Sequence, residues 1–506
     1  MVAECLTMAT VSCMSCDGNN ATPPSPAIAP GIGSVPSAAE IDPRHVAEAL
    51  VRAFGPGGMD PRVPGVVPGF DAPFFQAGLA GYSDAAMRII ARRHGCPYCV
   101  TEALLDQTLL AGGRGFAKAD LGEIEDNIPG GSEDRPLAGQ IMGSDPGEMA
   151  AAAVKMVEQG SRREREYRAL AEQARLRGGL QASVFASGGV GSSSPAGGAV
   201  GPAGERGASF AAIDINLACP VKKIARRARG GHWLADPVGA IRILEAVREA
   251  LPREIPVTVK MRRSFDDSEE MRENFFRIFD AAYDMGCAWV TVHARTVEQK
   301  YIGPSRWDLL REIVQRKHPG RQRDRIIFGS GDVWEAADVF RMIAYCSAPD
   351  RRTGRAVSCS PTGSTPTRAD AGGAEPRPAI FDPDFPHLCG VSIARGCIGN
   401  PWIFRQCRDL LAGRAASLPD IAEQRQVLMQ HFELAMSVNR LSTRGLGEAR
   451  EERAERHTAR TMRKFGLRFA EHHPQKELVR RRFIACQNMR DWWAVLEEFY
   501  KTEDKK

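Results

Sequence analysis

The chain has 506 residues, 43% hydrophobic and 25% charged, with a formal net charge of +5; this is enough apolar material for one large globular domain and a smaller one, and it excludes a wholly disordered chain. No apolar run reaches the roughly 18 residues of a membrane-span candidate and no basic stretch followed by an apolar one opens the chain, so a soluble, cytoplasmic protein without a membrane partner is expected. The thirteen cysteines stand singly apart from Cys13 and Cys16, with no zinc-ligand spacing, which suits reduced thiols and no metal site.

Residues 1–38 are rich in Ala, Pro, Ser and Gly, cannot bury enough apolar surface to order themselves, and read as a disordered low-complexity tail. Beyond them, short apolar runs alternate with longer helical patterns. Eight runs have strand length: FFQAGLA (74–80), YCVTEAL (98–104), LAGQIMG (137–143), AAIDINLA (211–218), PVTVKMR (256–262), WVTVHAR (289–295), RIIFGSG (325–331) and GVSIARG (390–396). Runs that are apolar on both faces suit a parallel sheet covered by helices, and eight of them predict an α/β fold, a (β/α)8 barrel over residues 39–414. Stretches 161–208 and 346–386 break the rhythm and read as low-complexity insertions between a helix and the next strand, on the face away from the chemistry. From 415 to 506 only helical periodicity remains, predicting a smaller all-helical domain. There Arg453, Arg456, Arg460 and Arg463 form one stripe, and Met462, Phe465 and Phe469 an apolar one.

A barrel keeps its active site at the C-terminal strand ends, so the polar residues expected there are the candidates. Strand three offers Gln140, strand four Asn216 and Cys219, strand five Lys260 and Arg262, strand six His293 and Arg295, strand seven Gly331 and Asp332, and strand eight Arg395 and Gly396. The glycines of GSGDV (329–333) and ARGCIGNPW (394–402) let backbone N–H groups approach an anion closely, which points to a phosphorylated ligand. Lys260 and His293 could stabilise negative charge on an electron-rich ring such as a reduced flavin. Cys219 lies in NLACPVKK (216–223), where Pro220 interrupts the strand and presents the thiol on a loop; beside basic residues it can act as a thiolate or as a proton donor.

Taken in order, DAPFFQAGLAGYSDAAMR (71–88), VTEAL, GQIMGSDP, DINLACPVKK, VKMR, VHARTVEQKYIGPSRWD, GSGDV and ARGCIGNPWIF resemble the tRNA-dihydrouridine synthase family over roughly 70–160, 209–345 and 387–500. The resemblance implies FMN, with Pro73, Phe74 and Phe75 under its ring, Gln140, Lys260 and His293 around its polar edge, and Ser330, Gly331, Asp332, Ala394 and Arg395 at its phosphate. It implies that NADPH reduces FMN, that hydride passes to C6 of a uracil, and that Cys219 protonates C5. Asn216, Arg262 and Arg295 are then expected to hold the uracil carbonyls and neighbouring phosphates. TARTMRKFGLRFAEHHP (458–474) resembles the family's tRNA-binding helices, with Arg463 and Lys464 as substrate contacts, and no obligate protein partner is implied. The sequence departs from the family at Ala218, Ser330, Ala394 and the pair His232–Trp233. Two other readings stay open: an FMN barrel reducing a free pyrimidine, and an RNA-binding homologue with impaired catalysis.

Overall fold

The computed structural model describes residues 38–110, 131–158, 210–221, 230–316, 324–347, 381, 383, 385–442 and 448–501. The expected tail and both insertions lie outside these residues except at their edges. The chain divides into two compact units, residues 1–41 with 350–376 and residues 42–349 with 377–506. Of the first only residues 38–41 are described, with a short 3-10 turn, Ala38–Glu40; everything below concerns the second.

Among the described residues nine parallel strands are present: β1 (Phe74–Gln76), β2 (Cys99–Val100), β3 (Leu104–Leu105), β4 (Leu137–Met142), β5 (Ala212–Leu217), β6 (Val257–Arg262), β7 (Trp289–His293), β8 (Ile327–Ser330) and β9 (Gly390–Ile393). β2 pairs with both β1 and β4, so the order β1-β2-β4-β5-β6-β7-β8-β9 closes on itself through the β1–β9 pair. All eight expected runs contain a barrel strand, and β3 adds a short pairing farther along β4. The chain is an α/β barrel with a helical C-terminal region, as the pattern of apolar runs predicts.

Side chains that alternate inward along parallel strands fill the barrel in layers. Phe70, Phe75, Tyr98, Trp289 and Phe328 plug its N-terminal end, with Phe70 stacked on Tyr98 at 4.7 Å and on Phe328 at 5.6 Å between ring centroids. Toward the other end the layers become polar: Gln140, Asp214 and Thr258 are buried there. Three outer helices begin on side-chain caps, Asp84, Asp236 and Ser268. Asp84 accepts from Met87 N (2.8 Å) and Asp236 from Gly239 N (3.0 Å).

Among the described residues four α-helices follow the barrel: Ile421–Ser442, Glu448–Phe469, Lys476–Ala485 and Met489–Phe499. Phe432, Phe483 and Trp492 form their core, the last two rings 4.7 Å apart. Met462, Phe465 and Phe469 are buried while Arg453, Arg456 and Arg460 are exposed, which is the amphipathic division read from the sequence. The helix Glu448–Phe469 rests on the barrel's mouth at two places. Lys464 Nζ donates to the carbonyl of Gly81 after β1 and lies 5.1 Å from the Tyr82 ring. After β9, Gly399 approaches Arg468 and Phe469 so closely that a Cβ would sit 2.5 Å from the Cβ of Arg468. Among the described residues no helix is long and apolar enough to cross a membrane.

Candidate active site

Three strands align the central groups by register: Gln140 opposite Asp214, Asp214 opposite Thr258, and Asn216 opposite Lys260. Asn216 Nδ2 donates to Gln140 Oε1 at 2.7 Å, and its Oδ1 accepts from the backbone N–H groups of Ala218 (2.9 Å) and Cys219 (3.1 Å). These bonds turn the chain just beyond β5 and leave the Cys219 side chain half-buried at the mouth. The loop is crowded from the other side: a Cβ on Gly231 would lie 3.0 Å from the Cys219 carbonyl oxygen, which itself accepts from Gly231 N at 2.9 Å. Trp233, beside it, is buried with its indole N–H on the Gly143 carbonyl (3.1 Å). The bulky pair His232–Trp233 is thus accommodated in a short 3-10 segment, Gly230–Ala235.

Burial pushes Lys260 below the usual amine range, while Asp214 raises it. Burial also drives His293 well below the ordinary imidazole range, helped by the charges of Arg262, Lys260, Arg295 and Arg395. A neutral imidazole among four cations is a setting for an anionic ligand, since any negative charge bound there relieves repulsion that is already present. His293 Nδ1 accepts from Arg295 N (3.1 Å), which makes Nε2 the protonated nitrogen.

The loops after β8 and β9 form the second half of the mouth. Gly331 has φ +119, and a Cβ there would stand 2.3 Å from Ser305 Oγ and 3.3 Å from His293 Cε1; only glycine fits. Asp332, at φ 51, accepts from Arg295 Nη2 (2.6 Å) and from Ser305 N (2.7 Å). Two buried polar atoms beside this cradle, Arg295 Nη1 and Ser305 Oγ, have no hydrogen-bond partner. Unpaired buried donors are costly, so a cradle of this kind fits a phosphate. Arg395 lies 3.5 Å from Asp332 and 4.7 Å from the Trp334 ring centroid.

Several expected positions differ from where the residues stand. Pro73 is buried at the N-terminal end of β1, and its carbonyl accepts from Val391 N at the start of β9. Phe74 faces outward toward Phe404 and Arg408, and Phe75 belongs to the aromatic plug. The segment that does reach the mouth after β1 is Ala77–Leu79, where a Cβ on Gly78 would lie 2.3 Å from the Thr101 carbonyl and 3.1 Å from Gln140 Oε1. Arg262, 2% exposed, gives its guanidinium to the carbonyls of Ala218 (2.9 Å), Thr296 (2.8 Å) and Lys300 (2.7 Å). Arg295 binds Asp332 and Gly303 O (2.7 Å) through Nε and Nη2, which leaves Nη1 over. Both arginines therefore hold loops of the mouth in place. Ser330 Oγ donates to Ser392 O (3.1 Å), and Arg463 Nε donates to Cys486 O. Cys96 and Cys99 are a close pair that the reading of isolated thiols passed over, their sulfurs 3.8 Å apart in the buried wall. Asp214 was passed over too, although a lone carboxylate in the run AAIDINLA is itself a signal.

A family model described as dihydrouridine synthase matches residues 203–382. Over these residues the chain is similar to the dihydrouridine synthase family. Named relatives agree: it is 28% identical over 228 residues to a probable tRNA-dihydrouridine synthase of Mycobacterium leprae, covering 44% of this chain and 47% of that one. It is 25% identical over 340 residues to one of Treponema pallidum, covering 67% and 70%, and 24% over 357 residues to tRNA-dihydrouridine synthase B of Shewanella oneidensis, covering 70% and 77%. Against the Mycobacterium leprae protein the chain spans about half of the relative's length (47%). The dihydrouridine synthase match takes in β5 to β8, the strands that bring Asn216, Lys260, Arg262, His293 and the Gly331 loop to the mouth.

Proposed function

We propose that this protein reduces uridines in tRNA to 5,6-dihydrouridine, with FMN as its bound cofactor, NADPH as reductant and Cys219 as the proton donor to C5. The observation that carries the reading is the placement of one half-buried thiol at the same barrel end as a half-buried lysine, a neutral histidine and a glycine-lined cradle suited to a phosphate. The residues fit FMN: Gly331, Ser305 and Arg295 would meet the phosphate, while Lys260, His293 and Gln140 would meet the polar edge of the ring. When bound and reduced by NADPH, the flavin supplies a hydride to C6 of the uracil.

The chain's own groups complete the reaction. As the new C6–H bond takes up an electron pair, C5 becomes basic, and the Cys219 S–H bond breaks to give it a proton. The thiolate left behind is favoured by the positive charge of Arg262, whose interaction with Cys219 is part of the local electrostatics, and it regains a proton from solvent. Arg262 acts on the same step mechanically by holding the carbonyl of Ala218. A uridine inside folded tRNA must leave its stack to reach this depth, and the exposed Arg453, Arg456 and Arg460 on the helix that rests on the mouth suit contact with phosphates. Purified protein incubated with NADPH and tRNA lacking dihydrouridine should add two hydrogens to specific uridines and leave free uridine unchanged. Reduction of the free nucleoside at a comparable rate would favour a small-molecule reductase.

A further inference from the structure

A buried carboxylate lies at the start of a hydrogen-bond chain that ends on the backbone of the thiol loop. Asp214, 4% exposed, accepts from Thr258 Oγ1 at 2.5 Å and from Gln140 Nε2 at 2.7 Å. Because an ionised carboxylate only accepts, the amide nitrogen of Gln140 has to face it, and the amide oxygen has to face the other way. That oxygen receives Asn216 Nδ2 (2.7 Å), which turns Asn216 Oδ1 toward the N–H groups of Ala218 (2.9 Å) and Cys219 (3.1 Å). Gln140 is pinned at its backbone as well, where its N–H donates to Thr101 Oγ1 at 2.9 Å. Each link fixes the orientation of the next, and reversing either amide would set donor against donor or leave a buried group unpaired.

Resting on the reductase reading, we propose that Asp214 is a positioning residue: through Gln140 and Asn216 it sets the amide orientations that hold the Cys219 loop, and with it the direction of the proton-donating thiol. Burial pushes the Asp214 carboxyl up, while Thr258, Gln140 and the charge of Lys260 hold it down, so the same carboxylate also steadies the cation placed for the flavin edge. An ordinary structural aspartate would affect folding alone. A relay predicts a selective effect on the thiol.

The test is the rate at which iodoacetamide alkylates Cys219 in the full chain, read by peptide mass spectrometry, with kcat and KM for tRNA measured beside it. Asp214→Ala removes the acceptor; it should change the alkylation rate several-fold and lower kcat by roughly tenfold with little change in KM, the scale of a lost buried hydrogen bond. Asp214→Asn can still accept from Gln140 in one of its two amide orientations and should recover part of both. Thr258→Val, which removes one donor without reversing an amide, should fall between Asp214→Asn and wild type. If Asp214→Ala does not fold, the two milder variants carry the same comparison. Wild-type alkylation and kcat in folded Asp214 variants would overturn the relay. An absence of dihydrouridine from the wild-type reaction would overturn the reductase reading instead, while the alkylation series still decides whether the relay exists.

Discussion

Two buried histidines show how environment decides the work of a side chain. His431 is 2% exposed, packs 4.4 Å from the Phe465 ring, and has no hydrogen-bond partner on either ring nitrogen. Burial pulls it down to about 4. His387 runs the other way: burial opposes its charge, but Asp60 at 3.0 Å and the Phe385 carbonyl at 2.9 Å raise it to about 10. The signs follow from linkage. A histidine lowered on folding contributes stability above pH 6.5 that is lost as pH falls toward 4, whereas a raised one contributes below 6.5 and is lost as pH rises toward 10. From its shift, His431 accounts for about 3 kcal/mol of acid sensitivity. His431→Leu should therefore flatten the fall of Tm between pH 6.5 and 4 while leaving the alkaline limb unchanged. An acid limb as steep as that of wild type would mean that His431 does not stay neutral in the folded protein.

At the scale of elements, the proposed cofactor makes the loops after β8 and β9 its phosphate cradle. Gly331→Ala forces a side chain into left-handed backbone and against Ser305 Oγ, 2.3 Å from the new Cβ. Strain of about 1–3 kcal/mol should weaken FMN binding by roughly tenfold or more, visible as loss of the yellow absorbance on gel filtration; full flavin retention would place the phosphate elsewhere. Much of this architecture was legible beforehand. Apolar runs with both faces buried mark parallel strands, and each of the eight contains one. Their ends were harder to read, because a run such as FFQAGLA stays apolar after pairing stops at Gln76. That is why Pro73 to Phe75 were expected at the mouth, whereas Pro73 stands just before β1, Phe74 faces outward and Phe75 joins the aromatic plug. Composition also finds arginines but not their partners. Arg262 gives its guanidinium to loop carbonyls more than thirty residues away in sequence, at Thr296 and Lys300, and spacing along the chain does not reveal such partners.

In the whole molecule, the groups of the proposed reaction lie in the barrel, and the helical region rests beside its opening. The two are joined by buried contacts, among them Trp402 set edge-on between His94 at 6.0 Å and Phe469 at 5.6 Å. Together with Lys464 on the Gly81 carbonyl, these contacts fix the basic helix beside the opening, and a substrate bound by that helix is presented to one strand-end cluster. The arginine stripe and its buried apolar counterpart were readable from helical spacing alone. Where that helix docks was not, since Gly81, Gly399 and Phe469 meet only after the barrel closes. The central claim is that Cys219 completes uridine reduction in tRNA. Its most direct test is nucleoside mass spectrometry of tRNA from cells lacking the gene, complemented with wild type or with Cys219→Ala. The account predicts that dihydrouridine disappears from particular positions, returns with wild type, and stays absent or nearly so with Cys219→Ala; unchanged dihydrouridine at every position on loss of the gene would contradict it.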